Sequence, residues 1–151
     1  MNFALLNNQL TEEKDLRLTN KNRGFLYGDG FFETIKIFNK KPFNLENHFD
    51  RIIYSADLLD IKFTLSVLDL NKSVSILIEK NNIKSGSVRI SVYRNSKGKY
   101  FPEENTSSIL INSRNDINDV FVERSFINIG YYKENLKSPS PLSNLKSLNS
   151  L

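Results

Sequence analysis

The sequence predicts an α+β fold, a two-layer sandwich in which an antiparallel sheet carries two helices, and three observations lead there. Two segments, 45–60 and 66–81, repeat their apolar residues at helical spacing. Segments rich in β-branched and aromatic residues lie on both sides of them, at 31–38, 87–93 and 108–112. A stretch crowded with Asn and Asp, 112–120, then marks a boundary, so that residues 1–113 form the sandwich, 114–120 a linker and 121–151 a separate segment.

The elements follow in order. Phe31 to Phe38 alternate in part and read as a strand, and Gly28-Asp29-Gly30 before it permits a tight bend. Asn39-Lys40-Lys41-Pro42 supplies a turn, with Phe43 starting a short return strand and completing a hairpin. In the first helix Leu45, Phe49, Ile52, Ile53, Ala56 and Leu59 share a face, with Asn44 as N-cap and Glu46 in the first turn. In the second, Val67, Leu68, Leu70, Val74, Ile76, Leu77 and Ile78 make a broad apolar face, which ends at Asn81 to Gly86. The strands at 87–93 and 108–112 are joined by a loop containing Gly98 and Pro102. Another strand is expected over 122–129, followed by a polar stretch with Pro139 and Pro141.

Composition narrows the chemistry. The 151 residues include no cysteine and one histidine, His48, which leaves neither a disulfide framework nor the ligands of a thiolate or His-based zinc centre. No metal is expected. The net charge of +4 comes from Lys and Arg spread along the chain, without the basic and aromatic interleaving of a nucleic-acid module. No stretch approaches the ~20 apolar residues of a membrane span, and no charged leader precedes an apolar run. A cytoplasmic location follows as the expectation, with neither membrane nor nucleic acid as partner.

Several residues could carry chemistry. Lys146, in Asn144-Leu145-Lys146-Ser147-Leu148-Asn149, is by itself a solvated surface charge or a nucleophile. A Schiff-base lysine needs a partly desolvated amine, for which Leu142, Leu145 and Leu148 are the available apolar neighbours. Arg51 lies three residues after His48, so both should share a helix face. Its guanidinium fork suits a phosphate, or a surface pair with Glu46 or Asp50. His48 reads as a helix-packing residue and not a proton shuttle. Asp29 reads as a turn aspartate capping a backbone N–H. Glu33 should point to the strand face opposite Phe32 and Thr34, in a structural or a catalytic contact.

Taken together, Arg23-Gly24-Phe25-Leu26-Tyr27-Gly28-Asp29-Gly30-Phe31-Phe32-Glu33, Asn47-His48-Phe49-Asp50-Arg51 and the Lys146 segment resemble the class IV aminotransferase family, the fold-type-IV pyridoxal-phosphate enzymes. The resemblance is dense from Arg23 to Leu59, thin over Ser87 to Tyr93, and returns at Asn144 to Asn149. It implies that Lys146 carries pyridoxal 5'-phosphate as a Schiff base and is the catalytic residue, and that Arg51 binds the cofactor phosphate. It also implies that Phe32 and Arg94 face the substrate and that the protein is a homodimer acting on a small amino substrate. Within the family, Tyr-Gly-Asp-Gly-x-Phe-Glu-Thr is closest to the aminodeoxychorismate lyase and D-amino acid aminotransferase groups. The latter carry tyrosine where Phe32 stands, which favours the lyase, an enzyme that eliminates pyruvate from 4-amino-4-deoxychorismate and leaves 4-aminobenzoate, a folate precursor. An aminotransferase of the D-amino acid or branched-chain type is the alternative. Members are nearly twice this long, so residues 121–151 are expected to begin a C-terminal cofactor-binding domain that is incomplete here. A truncated, non-catalytic domain is the reading from another class.

Overall fold

The computed structural model describes residues 2–116, 126–131 and 140–149. Alternation builds the sheet. In β3 (Gly30–Phe38) residues 31, 33, 35 and 37 are buried while Thr34, Lys36 and Phe38 are exposed, the period-2 pattern of a strand with one covered face. β3 pairs antiparallel with β5 (Gly86–Arg94), and β5 with β6 (Ser107–Asn115), over nearly their full lengths. β1 (Phe3–Leu6) pairs with β6 and with β2 (Gln9–Glu12), and the two-residue β4 (Lys41–Pro42) closes the hairpin with β3. The order is β2-β1-β6-β5-β3-β4. The sheet is antiparallel throughout, and with its two long helices the chain is α+β as expected.

Those helices, α2 (Leu45–Leu58) and α3 (Val67–Lys80), cover the face that Ile35, Ile37, Val88, Ile90, Val92 and Ile111 present. Ile52 and Ala56 of α2 and Leu70, Val74, Leu77 and Ile78 of α3 meet them, and all of these are buried. Burying one such side chain contributes about 1.5–3 kcal/mol, so this layer contact supplies most of the apolar stabilisation.

The two helices start differently. Asn44 caps α2 from the left-handed region, with φ of 55°, and its side chain makes no capping bond, in contrast to the expected cap. α3 has a full capping box that goes beyond the sequence expectation: the Ser66 hydroxyl accepts from the Asp69 N–H, and the Asp69 carboxylate accepts from the Ser66 N–H. These Ser66 hydrogen bonds, side-chain first and backbone second, hold the Asp69 carboxyl below its ordinary range. A lowered folded value stabilises at and above the ordinary carboxylate range, and the contribution is lost as the pH falls below it. Ser66→Ala should lower the melting temperature by about 2–4 °C, measured by circular dichroism at neutral pH.

Elements beyond the expected set include a hairpin and a short helix. β1 and β2 form a hairpin whose turn residues Asn7 and Asn8 both have positive φ, 50° and 65°. A short helix α1 (Arg23–Tyr27) occupies a segment to which the sequence assigns no element. β6 also runs to Asn115, so Arg114 and Asn115 of the expected linker still belong to the sheet. Residues 117–120 of that linker and 122–125 of the expected strand at 122–129 lie outside the described residues, as does Pro139; residues 126–129 are described and form no strand. Among the described residues no helix is long and apolar enough to cross a membrane.

Candidate functional site

Glu33 sits in the core phase of β3, between Phe31 and Ile35, and is 3% exposed. As expected, it points away from the face of Phe32 and Thr34. Its sheet neighbours across the strands are Ile90, then Ile111, then Leu5. A carboxylate in such a row is costly unless paired. The pairing comes from α2, where His48 Nδ1 lies 2.8 Å from Glu33 Oε2 and Arg51 Nη2 donates to Oε1 at 2.6 Å. The i, i+3 spacing therefore does set both side chains on one face, and Arg51 pairs with Glu33 rather than Glu46 or Asp50. His48 is more than a packing residue, because its ring nitrogen is part of this ionic cluster.

Lys146 arrives at the same carboxylate from the far end of the chain, with Nζ 3.7 Å from Glu33 Oε2. Main-chain bonds put it there. The Phe32 N–H donates to the Lys146 carbonyl at 2.9 Å, and the Leu148 N–H donates to the Gly30 carbonyl at 3.0 Å. Residues 146–148 thus add a short antiparallel bridge at the open edge of β3, where Phe31 faces Ser147. Leu145 is buried as an anchor, but Leu142 is exposed and the lysine side chain is 44% exposed. The apolar shelter expected for the amine is therefore only partly supplied by this chain.

Close packing at the start of β3 makes room for this bridge. Gly28 ends α1 with φ of 61°, and a Cβ there would lie 2.5 Å from the Asn149 Cβ. At Gly30 a Cβ would lie 2.3 Å from the Val92 carbonyl oxygen and 2.9 Å from Leu148. Gly30→Ala should cost about 1–3 kcal/mol in urea unfolding and loosen the Lys146 segment.

Asp29 and Arg94 differ from their sequence reading. Among the described residues the Asp29 carboxylate caps no backbone N–H; it accepts from Arg23 Nε at 2.7 Å and from Arg94 Nε at 3.2 Å. Both arginines are buried. Arg23 also donates to the carbonyls of Gly98 and Lys99, and so grips the 95–106 loop. Arg94 spends its other donors on the carbonyls of Asp60 and Leu59 and on Asn105 Oδ1. A guanidinium whose nitrogens all bond within the chain forms an internal clamp. Beside the clamp, burial pushes the Tyr93 phenol above its ordinary range, against hydrogen bonds with Asn22 and Ser108.

Phe32 stands on the sheet face opposite the helices, half-buried, with the Arg89 guanidinium 3.6 Å above its ring. Its side chain is on the other face from Glu33, while its backbone N–H fixes Lys146. The expected site residues are therefore partly gathered: Lys146 and Arg51 meet at Glu33, Phe32 adjoins them through the main chain, and Arg94 stands apart.

Arg51 is 53% exposed on its side chain, and among the described residues its Nε and Nη1 have no partner. One carboxylate here faces a guanidinium, an amine and an imidazole. An open guanidinium edge suits a phosphoryl group and a nearby primary amine suits an aldehyde, so the donor set fits pyridoxal phosphate. Among the described residues no cluster of three or more His, Asp and Glu could hold a metal. Glu33 is the residue that sequence reasoning leaves undecided; its signal is a glutamate in the core phase of an alternating strand.

The amino-transferase class IV family matches residues 30–151. D-alanine aminotransferase of Listeria monocytogenes serotype 1/2a is 34% identical over 91 residues, 60% of this chain and 32% of that protein. Aminodeoxychorismate lyase of Bacillus subtilis is 35% identical over 85 residues, 56% of this chain and 29% of that protein. The branched-chain amino acid aminotransferase of Escherichia coli superposes with a TM-score of 0.69 at 19% identity. That superposition covers 76% of this chain and 41% of the solved one, so the likeness is one of fold and extends over less than half of that protein. The matched stretch spans about a third of the length of the curated relatives.

Proposed function

The chain belongs to the class IV aminotransferase family, and from that premise we propose that it is the front part of a pyridoxal-phosphate enzyme of the lyase type. The observation that carries this reading is the convergence of Lys146 and Arg51, from distant parts of the sequence, on the single carboxylate of Glu33. Lys146 Nζ would hold the aldehyde end of the cofactor, and its amine would take and return a proton at the reacting carbon. Arg51 binds the phosphate through its open guanidinium edge. When bound, the cofactor supplies an electron-withdrawing ring that draws electrons away from the bond being broken.

Substrate choice rests on Phe32. The ring offers an apolar face stiffened by Arg89, and it lacks the hydroxyl that D-amino acid aminotransferases carry at this position. This favours elimination of pyruvate from 4-amino-4-deoxychorismate, leaving 4-aminobenzoate. Similarity of 34% to a D-alanine aminotransferase supports amino transfer between amino acids and 2-oxo acids as the second reading. Residues 121–151 then open the cofactor-binding domain, and the intact protein is a cytoplasmic homodimer, on the strength of the family resemblance alone.

The test uses the full protein that carries this chain. Mixed with pyridoxal phosphate it should turn yellow, and borohydride should fix the chromophore to the Lys146 peptide. Pyruvate release from 4-amino-4-deoxychorismate, exceeding amino transfer across a panel of amino acids, supports the lyase; the reverse ratio supports the aminotransferase. A colourless protein that gains no visible absorbance would overturn both and leave an inert domain.

A further inference from the structure

We propose that Glu33 is the positioning residue of this site, which holds Arg51 in the one orientation that presents its free edge to a phosphoryl group. The inference rests on the cofactor reading above. Glu33 is the charged member of a face otherwise made of Phe31, Ile35, Ile37, Ile90 and Ile111, and its pairing with Ile90 of β5 fixes its backbone. A side chain so enclosed has little freedom, so its two oxygens are fixed points. Oε1 accepts from Arg51 Nη2 at 2.6 Å, while Oε2 is held by His48 at 2.8 Å and faces Lys146 at 3.7 Å.

Arg51 by contrast is 53% exposed and, among the described residues, has no second side-chain partner. A free arginine must surrender rotamer freedom when it grips a ligand. Tied through one Nη2 to a buried oxygen, the fork keeps its planar orientation and leaves Nε and Nη1 for an anion. The same carboxylate fixes the distance between the phosphate-binding and amine ends, since both Arg51 and Lys146 are referred to it.

A carboxylate beside an anion site also repels the anion, and this gives the test a sign. If Glu33 were only a counter-charge, Glu33→Gln would raise the local positive potential and tighten anion binding. If it positions Arg51, the same change weakens binding. The full protein and its Glu33→Gln, Arg51→Gln and double variants would be titrated with pyridoxal phosphate by absorbance, and with inorganic phosphate by competition. We expect Glu33→Gln to raise both dissociation constants about tenfold, and to have little further effect once Arg51 is replaced. Such non-additivity is not expected of a change that only loosens the fold. If Glu33→Gln does not fold, His48→Gln, which frees Oε2 without touching Arg51, should still raise the phosphate constant a fewfold.

Unchanged or tighter binding in Glu33→Gln, or simple additivity with Arg51→Gln, would overturn the inference. Where Glu33→Gln is not obtained, an unchanged constant in His48→Gln would do so. A wild-type protein that takes up no pyridoxal phosphate would instead overturn the cofactor reading. The two failures are distinct.

Discussion

Replacing Lys146 with alanine should abolish covalent capture of pyridoxal phosphate while leaving the fold at nearly its original stability. The amine is 44% exposed, and its one described partner is Glu33 at 3.7 Å. A half-exposed pair of this kind contributes about 0–1 kcal/mol, so its loss should move the melting temperature by no more than a few degrees. Chemistry should respond differently, because no other amine is placed beside Glu33 among the described residues. Borohydride reduction followed by intact-mass measurement should show one reduced adduct on wild type and none on Lys146→Ala. An adduct of equal yield on the variant would assign the cofactor to another lysine.

Asp29→Ala should cause the largest loss of stability of any single change considered. Its carboxylate is the common partner of Arg23 and Arg94, whose side chains are 5% and 8% exposed. Removing one member of a buried ion pair costs about 3–5 kcal/mol, since the remaining charge is left uncompensated, and here two guanidiniums are affected. The carbonyls of Gly98, Lys99, Asp60 and Leu59 satisfy donors but do not neutralise charge. The start of β3, the 95–106 loop and the C-terminal end of α2 all meet at this aspartate, so their packing should loosen together. Urea unfolding is the measurement, and a change of less than about 1 kcal/mol would mean that the carbonyls alone suffice.

Much of the fold is legible in the sequence, for reasons visible in particular residues. The apolar faces of α2 and α3 recur at helical spacing because each helix buries one side on the sheet. β3 and β5 alternate because one face is covered. α1 is not legible: five residues that include Gly24 cannot form a helix by propensity, and this one depends on the Asn22 cap and on packing against Tyr93. The β1–β2 hairpin is marked only by its Asn-Asn turn, flanked by Leu5, Leu6 and Leu10.

The site divides in the same way. Lys146 and the His48–Arg51 pair stand out by sequence resemblance. The roles of Asp29 and Arg94 do not, since whether an arginine faces solvent or an internal carboxylate depends on packing that spacing does not encode. Glu33 lies between these cases. Its place in the alternating pattern announces burial, but which cations answer it depends on how α2 crosses β3.

The short bridge at the outer edge of β3 has a last consequence. Lys146 is moored chiefly by its peptide group, whose carbonyl accepts from the Phe32 N–H, while its half-exposed amine adds only the 3.7 Å contact with Glu33, so the architecture would accept almost any residue there. Shape and reactivity are therefore separable at this position. A descendant that had lost the amine would still be made, remain intact and melt normally, and only a reagent that seeks a primary amine would tell it from a working copy.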